Sequence, residues 1–151
     1  MKDTWNALVR FCSYQERCRN DVMKKMKTLN LAENEYSKWI TKLEAENFLN
    51  EIRFVSSFVN GRFKNKNWGI AKIKRELQLR GINAPIIEKI ISEEIETSDY
   101  QAKIIQLASK KWQSIKTGSI AERKLKLQKY LMAKGFHFQE IKEAIQSDIF
   151  R

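Results

Sequence analysis

The sequence predicts an all-α protein made of three tandem three-helix repeats stacked into an elongated, curved array. Three observations carry that expectation. The chain repeats itself: Val22, Met26, Asn30, Tyr36 and Ile40 recur 51 residues on as Ile73, Leu77, Gly81, Ile87 and Ile91, and 54 residues further as Leu127, Leu131, Gly135, Ile141 and Ile145. Within each copy the apolar residues keep a helical spacing on both sides of a stop. The stop itself is Asn30, Gly81 or Gly135, residue types that accept the left-handed backbone conformation just past a helix end. A unit of about 50 residues buries its apolar face poorly alone, so neighbours must stack and share a continuous core.

The elements follow in order. Trp5, Leu8, Val9 and Cys12 mark a first helix by their i, i+3, i+4, i+7 pattern. A second carries Val22 and Met26 and stops at Leu29-Asn30. Tyr36, Trp39, Ile40 and Leu43 define a third, with Glu33 and Glu35 in its first turn, where the helix dipole favours acids. The first repeat therefore covers residues 1–46. The second, 47–97, has a helix with Ile52, Phe54, Val55, Phe58 and Val59, broken at 65–67. Another follows with Ile70, Ile73 and Leu77, closed by Arg80-Gly81, and a third opens at Asn83-Ala84-Pro85. Pro85 is the one proline of the chain and suits a first helical turn, where a missing N–H costs nothing. The third repeat, 98–151, bears Ile104, Leu107, Ala108 and Trp112, then the Thr117-Gly118-Ser119 loop. Leu127 and Leu131 follow on its second helix, and Ile141, Ile145 and Ile149 on its last.

Composition narrows the function. A net charge of +11 and a pI near 9.7 favour a polyanionic partner. Charge is also blocked: seven Lys/Arg lie between 62 and 80 against Glu76 alone, and nine between 103 and 134 against Glu122 alone. Lys24, Arg75 and Lys129 are equivalent under the repeat, as are Lys72 and Lys126, and Arg80 and Lys134. At about 100° per residue, Arg75 lies roughly 160° to 200° from the Ile73 and Leu77 stripe. Basic residues should thus point outward as the stripe packs inward, with Ile73, Leu77, Ile87 and Ile91 buried and Lys72 and Arg75 exposed. The candidate binding residues are Lys24, Lys72, Lys74, Arg75, Arg80, Lys124, Lys126, Lys129 and Lys134.

Catalysis finds no support. Cys12, Cys18 and the single histidine, His137, lack the paired spacing of a zinc site, so no metal or cofactor is expected. His137 reads as a turn residue, and the two cysteines as free thiols on adjacent helices. Glycines at 61, 69, 81, 118 and 135 are too dispersed for a phosphate loop. The acid pairs Glu44/Glu46 and Glu93/Glu94 read as solvent-facing. A helix-turn-helix reader of DNA is a generic likeness, because no helix shows the Arg/Asn/Gln edge suited to bases. Asn6 and Arg10 interrupt any signal-peptide core, and no apolar run approaches the roughly 20 residues of a membrane span, so a cytoplasmic location is expected.

Three stretches resemble the bacterial RecX family of recombinase regulators. The segment Glu46-Asn47-Phe48-Leu49-Asn50-Glu51-Ile52-Arg53-Phe54-Val55 is similar to the start of that family's second unit, an acidic turn followed by Arg-Phe. Trp68-Gly69-Ile70-Ala71-Lys72-Ile73-Lys74-Arg75-Glu76-Leu77-Gln78-Leu79-Arg80-Gly81 is similar to its most distinctive stretch, a basic helix opened and closed by glycine. Ser13-Tyr14-Gln15-Glu16-Arg17 and the following helix resemble its first unit. Departures are Trp68 and Ile70 beside Gly69, Val55 where alanine is common, and Asn30 in place of glycine; Trp68 reads as packing rather than a base-stacking platform. The self-repelling basic surface, apart from any resemblance, argues for a monomer. The resemblance implies a non-enzymatic regulator that binds the RecA recombinase filament on single-stranded DNA. It would inhibit recombinase, ATPase and co-protease activities in DNA repair and the SOS response, with weak direct DNA binding. The alternative is a general basic nucleic-acid-binding array without a protein partner.

Overall fold

The computed structural model describes residues 2–145 and 150, and among these the chain is helical throughout, with no strand. The nine α-helices of that part are α1 (Lys2–Tyr14), α2 (Arg19–Thr28), α3 (Tyr36–Ala45), α4 (Glu51–Lys64), α5 (Ile70–Leu79), α6 (Ala84–Glu94), α7 (Thr97–Ser114), α8 (Ile120–Ala133) and α9 (Phe138–Ala144). Glu33 and Glu35 lie not in the first turn of α3 but in a short 3-10 turn that precedes it. Helix α9 ends one residue before Ile145, and Ile149 lies outside the described residues.

The three stops are the same structure. Asn30, Gly81 and Gly135 have φ of 60°, 82° and 101°. In each, the N–H of that residue bonds back to Lys27, Gln78 or Met132, and the next N–H, of Leu31, Ile82 or Phe136, reaches Met26, Leu77 or Leu131 at 3.1 to 3.2 Å. This is the paired closure that satisfies the last carbonyls of a helix, and its apolar closing residue is buried in two cases, Ile82 and Phe136. Helix starts are equally legible: Asn50, Asn83 and Ser119 accept N–H bonds from Arg53, Ile86 and Glu122.

The repeat stripe is the core. Val22, Met26, Ile73, Leu77, Leu127 and Leu131 are all at most 1% exposed. The expectation of one continuous core fails at the first unit. Leu8, Cys12, Val22, Met26, Trp39, Leu43 and Leu49 form a separate cluster, whereas α4 to α9 share one that runs from Phe54 to Ala144. Cys18 alone crosses from the α1–α2 connection into the larger cluster. The boundary is otherwise polar: Arg53 pairs with Glu16, and the Asn20 side chain lies over Gly81.

The junction between α5 and α8 is closer. Gly69, the residue before α5, donates its N–H to the Lys134 carbonyl at 2.8 Å, and Ala71 donates to the Gly135 carbonyl at 3.1 Å. Between them the Ile70 N–H donates to the Tyr100 hydroxyl at 3.0 Å, which donates to Glu140 at 3.0 Å. Three N–H groups that α5 cannot satisfy internally are thus bonded by the third unit. Burial pushes the Tyr100 phenol up, so it stays a donor.

Leu77→Ala is expected to destabilise by about 2 to 5 kcal/mol, the range for a truncated, fully buried leucine. Urea denaturation measures it; a change within about 0.5 kcal/mol would take the stripe out of the core.

A candidate basic interface on the middle helices

Helices α2, α5 and α8 present the repeated cations, and the structure divides them into free and engaged. Lys24, Arg75 and Lys129, the equivalent trio, are exposed, and none makes an ion pair or side-chain hydrogen bond among the described residues. Lys126 is exposed likewise, and Lys124 is exposed with its Nζ 4.5 Å from the Phe150 ring centre.

The other candidates are tied down. Lys74 pairs with Glu88 across α5 and α6 at 2.9 Å. Arg80 pairs with Glu76 at 3.2 Å, donates to the Glu76 carbonyl and rests its guanidinium 4.8 Å from the Phe58 ring centre. Lys134 is half-buried, 5.7 Å from the Tyr130 ring centre. Lys72, expected to be exposed, is half-buried with its Nζ 4.4 Å from the Trp68 ring centre. The close docking of α5 on the Gly135 turn is the reason: the Lys72 backbone and Cβ stand where a side chain on Gly135 would be.

Sequence reasoning missed a further set of cations laid on aromatic rings. Arg62 lies 4.4 Å from the Phe58 ring centre and 5.3 Å from that of Trp68, and Arg123 lies 4.1 Å from that of Trp112. The i, i+4 spacing of Phe58 and Arg62 could have revealed the first; nothing local links Trp112 to Arg123. Trp68 packs edge-on against Phe58, in accord with the packing role expected of it.

The acids also depart from expectation. Glu94 is not a free surface charge: it accepts from Ser56 Oγ at 2.6 Å and from Asn60, tying α6 to α4. Those two hydrogen bonds hold its carboxyl below the ordinary range. Glu44 pairs with Arg19 at 2.8 Å. His137 starts α9, its Nδ1 accepting from Gln139 and its N–H donating to Glu140. Cys12 and Cys18 are buried free thiols, which burial makes less acidic. Among the described residues no three His, Cys, Asp or Glu gather as metal ligands, and no helix is long and apolar enough to cross a membrane.

What remains is a scaffold that offers cations on equivalent positions of three helices. Comparison with known proteins places that scaffold. Residues 50–90 match the second three-helix domain of RecX, and residues 98–145 match its third. The chain belongs to the RecX family. "Regulatory protein RecX" of Haemophilus influenzae strain PittGG is 26% identical over 142 residues, covering 93% of this chain and 91% of that protein. The RecX of Prosthecochloris aestuarii is 28% identical over 146 residues, covering 95% and 93%. Among solved structures, RecX from Lactobacillus salivarius superposes with a TM-score of 0.83 at 27% identity, covering 96% of this chain and 94% of that one. Another RecX crystal structure gives 0.86 at 20% identity, covering 95% and 71%, which speaks for the fold alone. The RecX fold of tandem three-helix domains is therefore the fold of this chain, and its class is that of a regulatory protein.

Proposed function

We propose that this RecX-family protein binds the RecA recombinase filament on single-stranded DNA and restrains its ATP turnover, strand exchange and co-protease activity. It acts as a non-enzymatic, monomeric modulator in the cytoplasm. The observation that carries the reading is family membership joined to cations at equivalent positions on α2, α5 and α8 that have no ion pair among the described residues. Three units, at 1–46, 47–97 and 98–151, would each bring one such cation to a partner that is itself periodic. A basic surface of this kind meets acidic protein and exposed phosphate alike, speeding encounter by long-range attraction.

The test is steady-state ATP hydrolysis by the cognate recombinase on single-stranded DNA, titrated with this protein. Inhibition that saturates in proportion to filament subunits or ends is the expected result. Consumption of nucleotide by this protein itself, or loss of filaments that progresses with time at trace amounts, would overturn the non-enzymatic reading. Binding to free DNA with steep salt dependence and no effect on the recombinase would favour a general nucleic-acid-binding protein instead.

A further inference from the structure

The outward faces of α5 and α8 are not purely basic. Leu79, one turn beyond Arg75, is 72% exposed, and on α8 Leu125 and Met132 flank Lys129 at 49% and 47%. The i, i+4 spacing of Arg75 with Leu79, and of Leu125 with Lys129, puts apolar and cationic groups on one side of each helix. Met132 completes the second patch, with Gln128 donating to its sulfur. The equivalent positions on α2 are Asn20, Lys24, Lys27 and Thr28, with no exposed apolar side chain.

We infer that the α5 and α8 faces are a docking surface for an acidic protein partner bearing apolar recesses, Leu79 and Met132 being the anchors that enter them. This rests on the reading that the chain acts on a recombinase filament, and specifies which component these two faces grip. Phosphate-binding surfaces are built from polar and cationic groups, and surfaces for single-stranded DNA add aromatic platforms. The exposed apolar groups here are aliphatic and have no ring face for a base. Trp68, Trp112 and Phe58 are already covered by Lys72, Arg62, Arg80 and Arg123, whereas Phe138, 45% exposed, lines a pocket with Gln128 beside the α8 face. Exposed leucine and methionine beside unpaired arginine or lysine is instead the composition of a protein interface, in which apolar anchors hold and charges select. Charge complementarity gives the sign of the partner, since Arg75 and Lys129 have no anion partner among the described residues. Only the cations recur at one repeat position, Arg75 and Lys129; the repeat equivalents of Leu79, Leu125 and Met132 are Ala133, Ala71 and Gln78, so the two faces would grip the acidic partner through different anchors.

The experiment compares the wild-type chain with a variant carrying Leu79→Ser and Met132→Gln, which leaves every charge in place. Binding is measured to recombinase assembled on single-stranded DNA and to an oligothymidine alone, with melting temperature recorded and Leu79→Ser run singly as a second variant. The expected result is filament binding weakened by about tenfold, while oligothymidine binding stays within about twofold and melting is unchanged. Filament binding equal to wild type would overturn the inference and leave the filament reading standing. A parallel loss on oligothymidine would reassign the faces to nucleic acid. A wild-type dimer that the variant abolishes would assign them to a second copy of this chain. Failure of the wild-type protein to bind the filament at all would overturn the functional reading, and this inference with it.

Discussion

Replacing Gly69 by alanine is expected to destabilise the protein by about 3 kcal/mol or more, although one methyl group is all that changes. A Cβ at Gly69 would fall inside the van der Waals envelope of the Gly135 carbonyl and the Phe136 amide, both backbone, which cannot swing away as a flexible side chain would. Relief requires α5 to part from the Gly135 turn. That movement breaks the Gly69 to Lys134 and Ala71 to Gly135 hydrogen bonds and carries Ile70 off Tyr100. Overpacking costs about 1 to 3 kcal/mol, and each buried donor left without a partner about as much again. Gly61→Ala is the control, because nothing lies within 4 Å of its added Cβ and it sits inside α4. There the change should stabilise by about 0.5 to 1 kcal/mol through helix propensity. Urea midpoints of the two variants should move in opposite directions. A neutral Gly69→Ala would show that the units do not meet through this turn.

The same junction explains where sequence reading succeeds and where it stops. Helix stops at Asn30, Gly81 and Gly135 were legible because positive φ restricts residue type, and the stripe through Ile73 and Leu77 because burial imposes a period. Both are local signals. Contact between Gly69 and Gly135, 66 residues apart in the sequence, is not local, so the half-burial of Lys72 that follows from it could not be read from a helical wheel. Cys18 occupies the repeat position of Gly69, but its N–H turns back to Asp21 at 3.1 Å instead of reaching the next unit. That substitution accompanies the break between the two cores. The candidate site divides in the same way. Arg80 and Glu76 are four residues apart and their pairing was available from spacing alone, whereas Lys74 with Glu88, and Glu94 with Ser56 and Asn60, join different helices. Periodicity placed the cations on an outer face; it carried no information on which of them an acid had already claimed.

Reversing charge at Arg75 and Lys129 together should weaken binding to the recombinase filament by roughly a hundredfold, about 2 to 3 kcal/mol, and leave melting unaltered. The two halves of that expectation have different causes. Both residues are exposed and have no ion pair among the described residues, so the fold loses no contact when they become glutamate, and stability should hold within about 0.5 kcal/mol. An acidic partner, by contrast, then meets like charge at two equivalent points. Lys74→Glu or Arg80→Glu would be a poor substitute, since each also breaks an internal pair and the second uncovers Phe58. Ionic strength supplies the check on mechanism. With a screening length of about 8 Å near physiological salt, the gap between wild type and variant should be wide at low salt and narrow as salt rises. Filament binding measured at several salt concentrations tests this directly: a variant that binds as tightly as wild type at every one would reduce the repeated cations to a device for solubility.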